Sequence, residues 1–208
     1  RIYMEKIALI PTEADNASEF RYRDPMINKK TLAIFVTQSG ETADTIAGIE
    51  EAKAKGATTI TLTNCLETQA TRLSDHTIYL ESGPEISVAS TKTFSSSIMC
   101  LYLLAMTLGQ SRNTLTNRKI KEHIRNLRSI PRKIGDILSM ENQYIELAHK
   151  YCHSTNFLYL GRGINYPVAM EGALKLKEIS YIHAEGYAAG EMKHGPISLI
   201  DQDMPVVI

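Results

Sequence analysis

Apolar residues in the first half of the chain fall into short runs separated by stretches with helical spacing. Residues 31–37 (TLAIFVT) form a nearly continuous apolar and β-branched run, which is typical of a strand buried on both faces. Residues 58–63 (TTITLT) and 77–80 (TIYL) predict two further strands, and helical patterns cover 42–55 and 93–108. Because strands and helices alternate through short loops, the pattern predicts a parallel sheet flanked by helices.

The same alternation begins again after a charged segment. Residues 111–155 carry many charges and no strand pattern, and their apolar residues recur at helical spacing over 116–139 and 141–153. A short strand (157–160) and a long helix (166–182) then follow in the order seen before. The repetition indicates two α/β units in tandem.

This pattern predicts three parts: a first domain (1–110), a helical connector (111–155) and a second domain (156–208). The final residues, Met204 to Ile208, resemble the beginning of one more strand, and the chain opens without an initiator Met. A parallel sheet of only two or three strands would leave an exposed edge. We therefore interpret both domains as truncated and the chain as part of a larger protein.

Composition excludes several classes of partner. The 23 Lys and Arg residues balance the 23 Asp and Glu residues, so neither nucleic acid nor an acidic membrane surface is indicated. The uninterrupted apolar runs are too short to span a bilayer. The three cysteines are widely spaced without a C-x-x-C pair, which indicates neither a disulfide framework nor a zinc cluster. We expect no metal and no cofactor.

The first candidate site is the segment Thr37-Gln38-Ser39-Gly40-Glu41-Thr42, which joins the first predicted strand to a helix. Open parallel sheets bind ligands at this edge, and a helix N-terminus attracts anions. The segment contains no Lys and so is not a Walker A loop. Its hydroxyls and amides suit a sugar monophosphate. The alternative is that Ser39 and Thr42 only cap the helix.

The second candidate lies in the helix predicted over 166–182. Glu171, Lys175 and Glu178 are spaced to share one face, where a carboxylate beside a lysine could move a proton on a sugar. Another face carries apolar residues suited to packing: Ala169, Ala173, Leu176 and Ile179. The alternative is a solvated row of ion pairs, which is common at this spacing.

The third candidate is His194, within Glu191-Met-Lys-His-Gly-Pro196. A small-residue run (184–190) precedes it and a Gly-Pro turn follows it, a placement that suits sugar ring opening or proton transfer. The alternative is a structural histidine.

The segment Gly161-Arg162-Gly163 lacks a third glycine at position 166, so the dinucleotide fingerprint fails.

Together these segments resemble one known family, the isomerase region of glutamine–fructose-6-phosphate aminotransferases. The resemblance rests on five segments: ASEFRYR (17–23), TQSGETADT (37–45), EISVASTK (85–92), EGALKLKEISYIHAE (171–185) and GEMKHGP (190–196). It implies tandem sugar-isomerase (SIS) domains, which are flavodoxin-like α/β sandwiches. It also implies a cytoplasmic enzyme that makes glucosamine 6-phosphate, for amino-sugar biosynthesis, from fructose 6-phosphate and ammonia released from glutamine.

The resemblance implies a role for each matching residue. Four residues would hold the substrate phosphate: Thr37, where the family commonly has Ser, and Gln38, Ser39 and Thr42. Val88 would contact the sugar, and Glu178, with Lys175 beside it, would move a proton between C1 and C2. His194 would open the sugar ring in the site of a neighbouring subunit, which implies a homodimer.

Some family features are absent from this sequence. The glutaminase domain is missing, and the C-terminal tail with its Schiff-base lysine would lie beyond Ile208, so the fragment alone is expected to be inactive. Two alternatives share the SIS architecture, a sugar-phosphate sensor and a deaminating sugar-phosphate isomerase. A sensor would not need Glu178 or His194, and the matches KLKEISY (175–181) and KHGP (193–196) favour the synthase.

Overall fold

The computed structural model describes all 208 residues. They divide into two compact units, Arg1–Ile120 and Lys121–Ile208. Each unit contains a three-stranded parallel sheet with helices in its connections, which confirms the predicted α/β class. The assignment of a connector over 111–155 between two domains stays a prediction.

The first unit alternates strands and helices along the chain. After a π-helix (Met4–Ala8), its elements are α1 (Ala17–Phe20), β1 (Leu32–Val36), α2 (Ala43–Ala54), β2 (Thr58–Thr63), α3 (Gln69–Leu73), β3 (His76–Tyr79) and α4 (Lys92–Ser111). The strands lie in the order β1-β2-β3, with Leu32 opposite Thr58 and Ile60 opposite His76. The three strands and the helices α2 and α4 confirm the sequence prediction, whereas the short helices α1 and α3 were not predicted.

Helix α2 packs on one face of this sheet and forms the core of the first unit. The buried members of the core are small or apolar: Phe35, Ile49, Ala52, Ala57 and Ala70. Gly48 brings the helix close to the sheet, because an added Cβ there would lie 3.1 Å from the Phe35 ring. This packing fixes the carboxyl end of β1 against the amino end of α2.

The prediction that β1 is buried on both faces is wrong. Leu32 and Val36 are 40% and 46% exposed, and only Phe35 is buried in this strand. The reason is that β1 lies at an edge of the sheet rather than at its centre. The central strand is β2, whose fully buried side chains include Thr59, Thr61 and Thr63.

The second unit builds its sheet in the order β5-β4-β6. Helix α5 (Asn117–Arg128) spans the boundary between the units, and the remaining elements are α6 (Ile130–Leu138), α7 (Glu141–Tyr151), β4 (Asn156–Gly161), α8 (Asn165–Ser180), β5 (His183–Ala188) and β6 (Val206–Val207). Two 3₁₀ helices, Ala189–His194 and Pro196–Leu199, follow β5. The single helix predicted over 116–139 is instead two helices, with Pro131 in the first turn of α6, where its missing N–H is tolerated.

Strand β5 was not recognised in the sequence, where residues 184–190 were interpreted only as a small-residue run. Small side chains alternate along it because α8 lies against that face. An added Cβ at Gly186 would lie 2.5 Å from Met170 Cα, and Ala184 is fully buried. The missed signal was the alternation of His183, Glu185 and Tyr187 with these small residues.

Two helical regions expose much apolar surface. Helices α5, α6 and α7 contain no buried residue. Helix α4 is long and apolar enough to cross a membrane by length and composition, with a mean hydropathy of 1.2 and 22% of its most apolar window buried. Core helices of water-soluble proteins can have the same length and apolar composition, so these properties do not assign α4 to a membrane.

Candidate functional site

The 37–42 loop leaves the carboxyl end of β1 and leads directly into α2. The Thr37 side chain is buried, and its Oγ1 accepts a hydrogen bond from the Gly40 N–H at 3.2 Å. Ser39 Oγ accepts from the Glu41 N–H, also at 3.2 Å. The backbone therefore turns back on itself and brings its amides and hydroxyls to the edge of the sheet.

Thr42 is the N-cap residue of α2, but its side chain makes no capping hydrogen bond. Ser39 lies outside the cap and bonds within the loop. The alternative that these two residues only cap the helix is therefore wrong. An exposed Thr42 hydroxyl beside the first turn of a helix can donate to an anion, and the helix dipole favours the same charge.

Residues at the start of α3 donate hydrogen bonds to this loop. The sequence analysis did not predict this contact. The Ala70 N–H donates to the Gly40 carbonyl at 3.0 Å, and the Gln69 N–H donates to Glu41 Oε1 at 2.8 Å. Gly40 itself has φ +71°, and an added Cβ would lie 2.1 Å from Thr68 Oγ1. The loop conformation thus depends on a residue without a side chain at position 40.

Gly40→Ala is expected to lower the free energy of unfolding by about 2–4 kcal/mol, because left-handed backbone strain adds to a steric clash. Gly83→Ala is the matched control. Gly83 has φ +68° but nothing within 4 Å of an added Cβ, so it carries only the strain, about 1–2 kcal/mol. Urea unfolding of both variants measures the difference. Equal losses would show that contact with Thr68 does not constrain the loop.

A second loop, residues 85–92, precedes α4 and carries Val88. Glu85 Oε2 accepts from the Thr93 N–H at 3.0 Å and from Thr93 Oγ1 at 2.8 Å. These hydrogen bonds lower the pKa of Glu85. Val88 is 89% exposed, so the loop presents an apolar side chain to solvent. Its contact with a sugar stays a prediction.

The row on α8 is a compact charged cluster. Lys175 Nζ lies 2.8 Å from Glu178 Oε2 and 3.3 Å from Glu171 Oε1. The three side chains are 22–28% exposed, and the ion pairs that the alternative interpretation describes are present as a partly buried row. Partial burial opposes the charged form of Lys175, but the hydrogen bonds that the ammonium group donates to Glu178 and Glu171 outweigh it and raise the lysine pKa.

A protonated Lys175 has a defined chemical role in this row. The ammonium group stays charged at neutral pH and cannot serve as a base there. Two carboxylates lie beside it, and the nearer is Glu178, the residue that the sequence analysis gives as the candidate proton carrier. Of the four residues predicted to pack, Ala169 and Ala173 are buried, whereas Ile179 is 68% exposed, so the packing prediction for Ile179 is wrong.

His194 ends the first 3₁₀ helix of the second unit and is exposed. Gly195 follows it at φ +138°, a conformation that glycine adopts without strain. The imidazole makes no hydrogen bond or ion pair within the chain, either with Glu178 or with any other residue. The structural alternative, a histidine held by a satisfied partner, therefore has no support.

One protein-family model matches this chain. It is described as the SIS domain, and it covers residues 1–107 and 150–208. The match includes parts of both units and omits residues 108–149, which contain α5, α6 and most of α7.

Among curated relatives, a glutamine–fructose-6-phosphate aminotransferase (isomerizing) of Bacteroides thetaiotaomicron is 49% identical over 99% of this chain and 33% of its own length. The enzyme of the same name from Bradyrhizobium diazoefficiens is 50% identical over 100% of this chain and 34% of its own length. The chain thus spans about a third of these relatives.

Among solved structures, the C-terminal domain of glucosamine-fructose-6-phosphate aminotransferase from Francisella tularensis superposes with a TM-score of 0.96. It is 36% identical in sequence, and the alignment covers 99% of this chain and 58% of that domain.

Proposed function

This chain belongs to the SIS domain family. We propose that it is part of the isomerase region of a glutamine–fructose-6-phosphate aminotransferase. The observation that carries this proposal is the near-half identity to relatives of that name along 99–100% of the chain. The proposed reaction converts fructose 6-phosphate and ammonia to glucosamine 6-phosphate in the cytoplasm. A glutaminase domain of the full-length protein supplies the ammonia from glutamine.

The substrate phosphate binds at the 37–42 loop in this proposal. The free hydroxyl of Thr42, the exposed amide of Gln38 and the first turn of α2 all offer donors at one edge of the sheet. Ser39 adds a second hydroxyl, and Thr37 holds the turn through its bond to Gly40. Val88 contacts the sugar carbons.

The isomerisation step uses the charged cluster on α8, which consists of Glu171, Lys175 and Glu178. After ammonia has condensed with the C2 carbonyl of the open-chain sugar to an imine, with loss of water, the Glu178 carboxylate takes a proton from C1 and delivers it to C2, while the C1 hydroxyl loses its proton and becomes the aldehyde carbonyl. Lys175 stays protonated beside it and stabilises negative charge that develops on the sugar oxygen. The 2.8 Å bond between the two groups supports this division of roles.

His194 opens the sugar ring in the active site of a second subunit. The exposed imidazole without a partner in its own chain supports this assignment. Two-fold dimers are the commonest oligomers, and we propose a homodimer.

The phosphate site is tested by calorimetry of fructose 6-phosphate binding to the full-length protein. The double variant Ser39→Ala with Thr42→Ala removes two donors to a charged group and is expected to weaken binding by at least about tenfold. The control, Thr107→Ala with Ser139→Ala, removes two hydroxyls that only bond carbonyls of their own helices or helix ends. Unchanged affinity in the first variant would exclude the loop as the phosphate site.

A further inference from the structure

Asn64 immediately follows β2 and lies between the loops that extend the two neighbouring strands. Its backbone N–H donates to the Gln38 carbonyl at 3.1 Å, and Thr63 Oγ1 donates to the same carbonyl at 3.2 Å. The end of the central strand is thereby bonded to the 37–42 loop. These contacts use the Asn64 backbone and leave its side chain available for the other neighbour.

The Asn64 side chain uses both ends of its amide on the segment after β3. Nδ2 donates to the Gly83 carbonyl at 2.7 Å, and Oδ1 accepts from the Ser82 N–H at 3.0 Å. The Ser82 N–H needs an acceptor and the neighbouring Gly83 carbonyl needs a donor, so one short, planar side chain must supply both. Asparagine supplies both, whereas an aspartate would set a negative charge against the Gly83 carbonyl.

The bonded segment leads directly into the loop that carries Val88. Asn64 holds its beginning at Ser82 and Gly83, and the Glu85–Thr93 hydrogen bonds hold its end at α4. The 85–92 loop is therefore fixed at two points, one of which leads through Asn64 to the 37–42 loop. The hydrogen bonds of Asn64 thus connect the two loops.

We propose that Asn64 is a positioning residue that sets the 85–92 loop relative to the 37–42 loop, so that a hexose phosphate spanning both binds more tightly than its phosphate alone. This inference rests on the proposed function. It assigns Asn64 no contact with the substrate. The backbone bond to Gln38 is independent of the side chain, so a side-chain change disturbs the Val88 side of the site selectively.

The test compares binding of fructose 6-phosphate with binding of inorganic phosphate to the full-length protein, by calorimetry or competition. Asn64→Asp retains size and the acceptor for Ser82 but loses the donor to Gly83. It is expected to weaken fructose 6-phosphate binding about tenfold and phosphate binding less than twofold. Asn28→Asp is the matched control, since Asn28 uses only its Oδ1, which accepts from the Lys30 N–H before β1.

The outcomes separate this inference from the proposed function. If the wild-type protein binds neither ligand, the proposed function fails. If the wild-type protein prefers fructose 6-phosphate and Asn64→Asp keeps that preference, or loses affinity for both ligands equally, the positioning role of Asn64 is overturned. Asn28→Asp is expected to match the wild type throughout.

A measurement on the wild-type protein keeps the test independent of whether the variant folds. The Ser82 N–H donates a hydrogen bond to Asn64 Oδ1. Its hydrogen exchange is expected to slow when fructose 6-phosphate binds and to change little with inorganic phosphate. Equal exchange rates with both ligands at saturation would contradict the proposal.

Discussion

Glu178→Gln in the full-length protein is expected to lower turnover of fructose 6-phosphate by about 10²–10⁴-fold, the usual contribution of general acid–base catalysis. The glutamine retains the shape of the side chain and can still accept from Lys175, but it cannot take a proton from C1. Substrate affinity should change little, because the phosphate and the sugar carbons are held elsewhere. Steady-state kinetics with a calorimetric dissociation constant measures both quantities.

Glu171→Gln is the matched control for this prediction. Glu171 also pairs with Lys175, at 3.3 Å, and is 24% exposed against 28% for Glu178. A loss caused only by disturbing the lysine or the helix would therefore appear in both variants. We expect the Glu171 variant to lose less than about tenfold. Comparable losses in the two variants would remove Glu178 from its proposed role and leave it as a partner of Lys175.

Restored activity in mixed dimers is the second large effect we expect. Glu178→Gln and His194→Ala should each be nearly inactive as pure dimers. If His194 acts across the interface, a mixed dimer contains one site that lacks both groups and one site that retains both. By symmetry, each mixed dimer should then recover up to about half of the normal activity. The measurement is turnover after the two variants are dissociated together and reassociated.

The alternative arrangement gives a different result in the same experiment. If His194 serves its own chain, every site of a mixed dimer lacks one group and no activity returns. Differently tagged variants allow the mixed dimer to be isolated before the assay. Isolated mixed dimers without activity would exclude the shared site and would leave the Glu178 prediction unaffected. Reassociated pure dimers of each variant control for activity gained by the procedure itself.

Local sequence pattern was sufficient for most of the secondary structure. Residues 58–63 were predicted as a strand with the bounds that β2 has, because β-branched residues between a glycine turn and a polar residue favour a strand whatever lies around them. The division of 116–139 into α5 and α6 was missed, although its signal, Pro131, acts locally on a helix. The placement of the 37–42 loop followed from the rule that parallel strands present their carboxyl ends to ligands.

Tertiary contacts decided the other features that the sequence analysis missed. Strand β5 has small residues at alternate positions because α8 lies against them, as the 2.5 Å separation at Gly186 shows, and no local pattern records the presence of that helix. The position of β1 at a sheet edge depended on which strands pair. Its apolar composition alone predicted a buried strand.

Some features of the candidate site could likewise be predicted from sequence, and others depended on the fold. The types of group at 37–42 and on α8 could be identified from sequence, because spacing on a helix or after a strand determines which side chains are neighbours. Whether Thr42 capped its helix, and how far the Lys175 row was buried, depended on the surrounding packing. The role of Asn64 depended entirely on the fold, since its amide bonds a carbonyl 19 residues away that only the pairing of β2 with β3 brings within 2.7 Å.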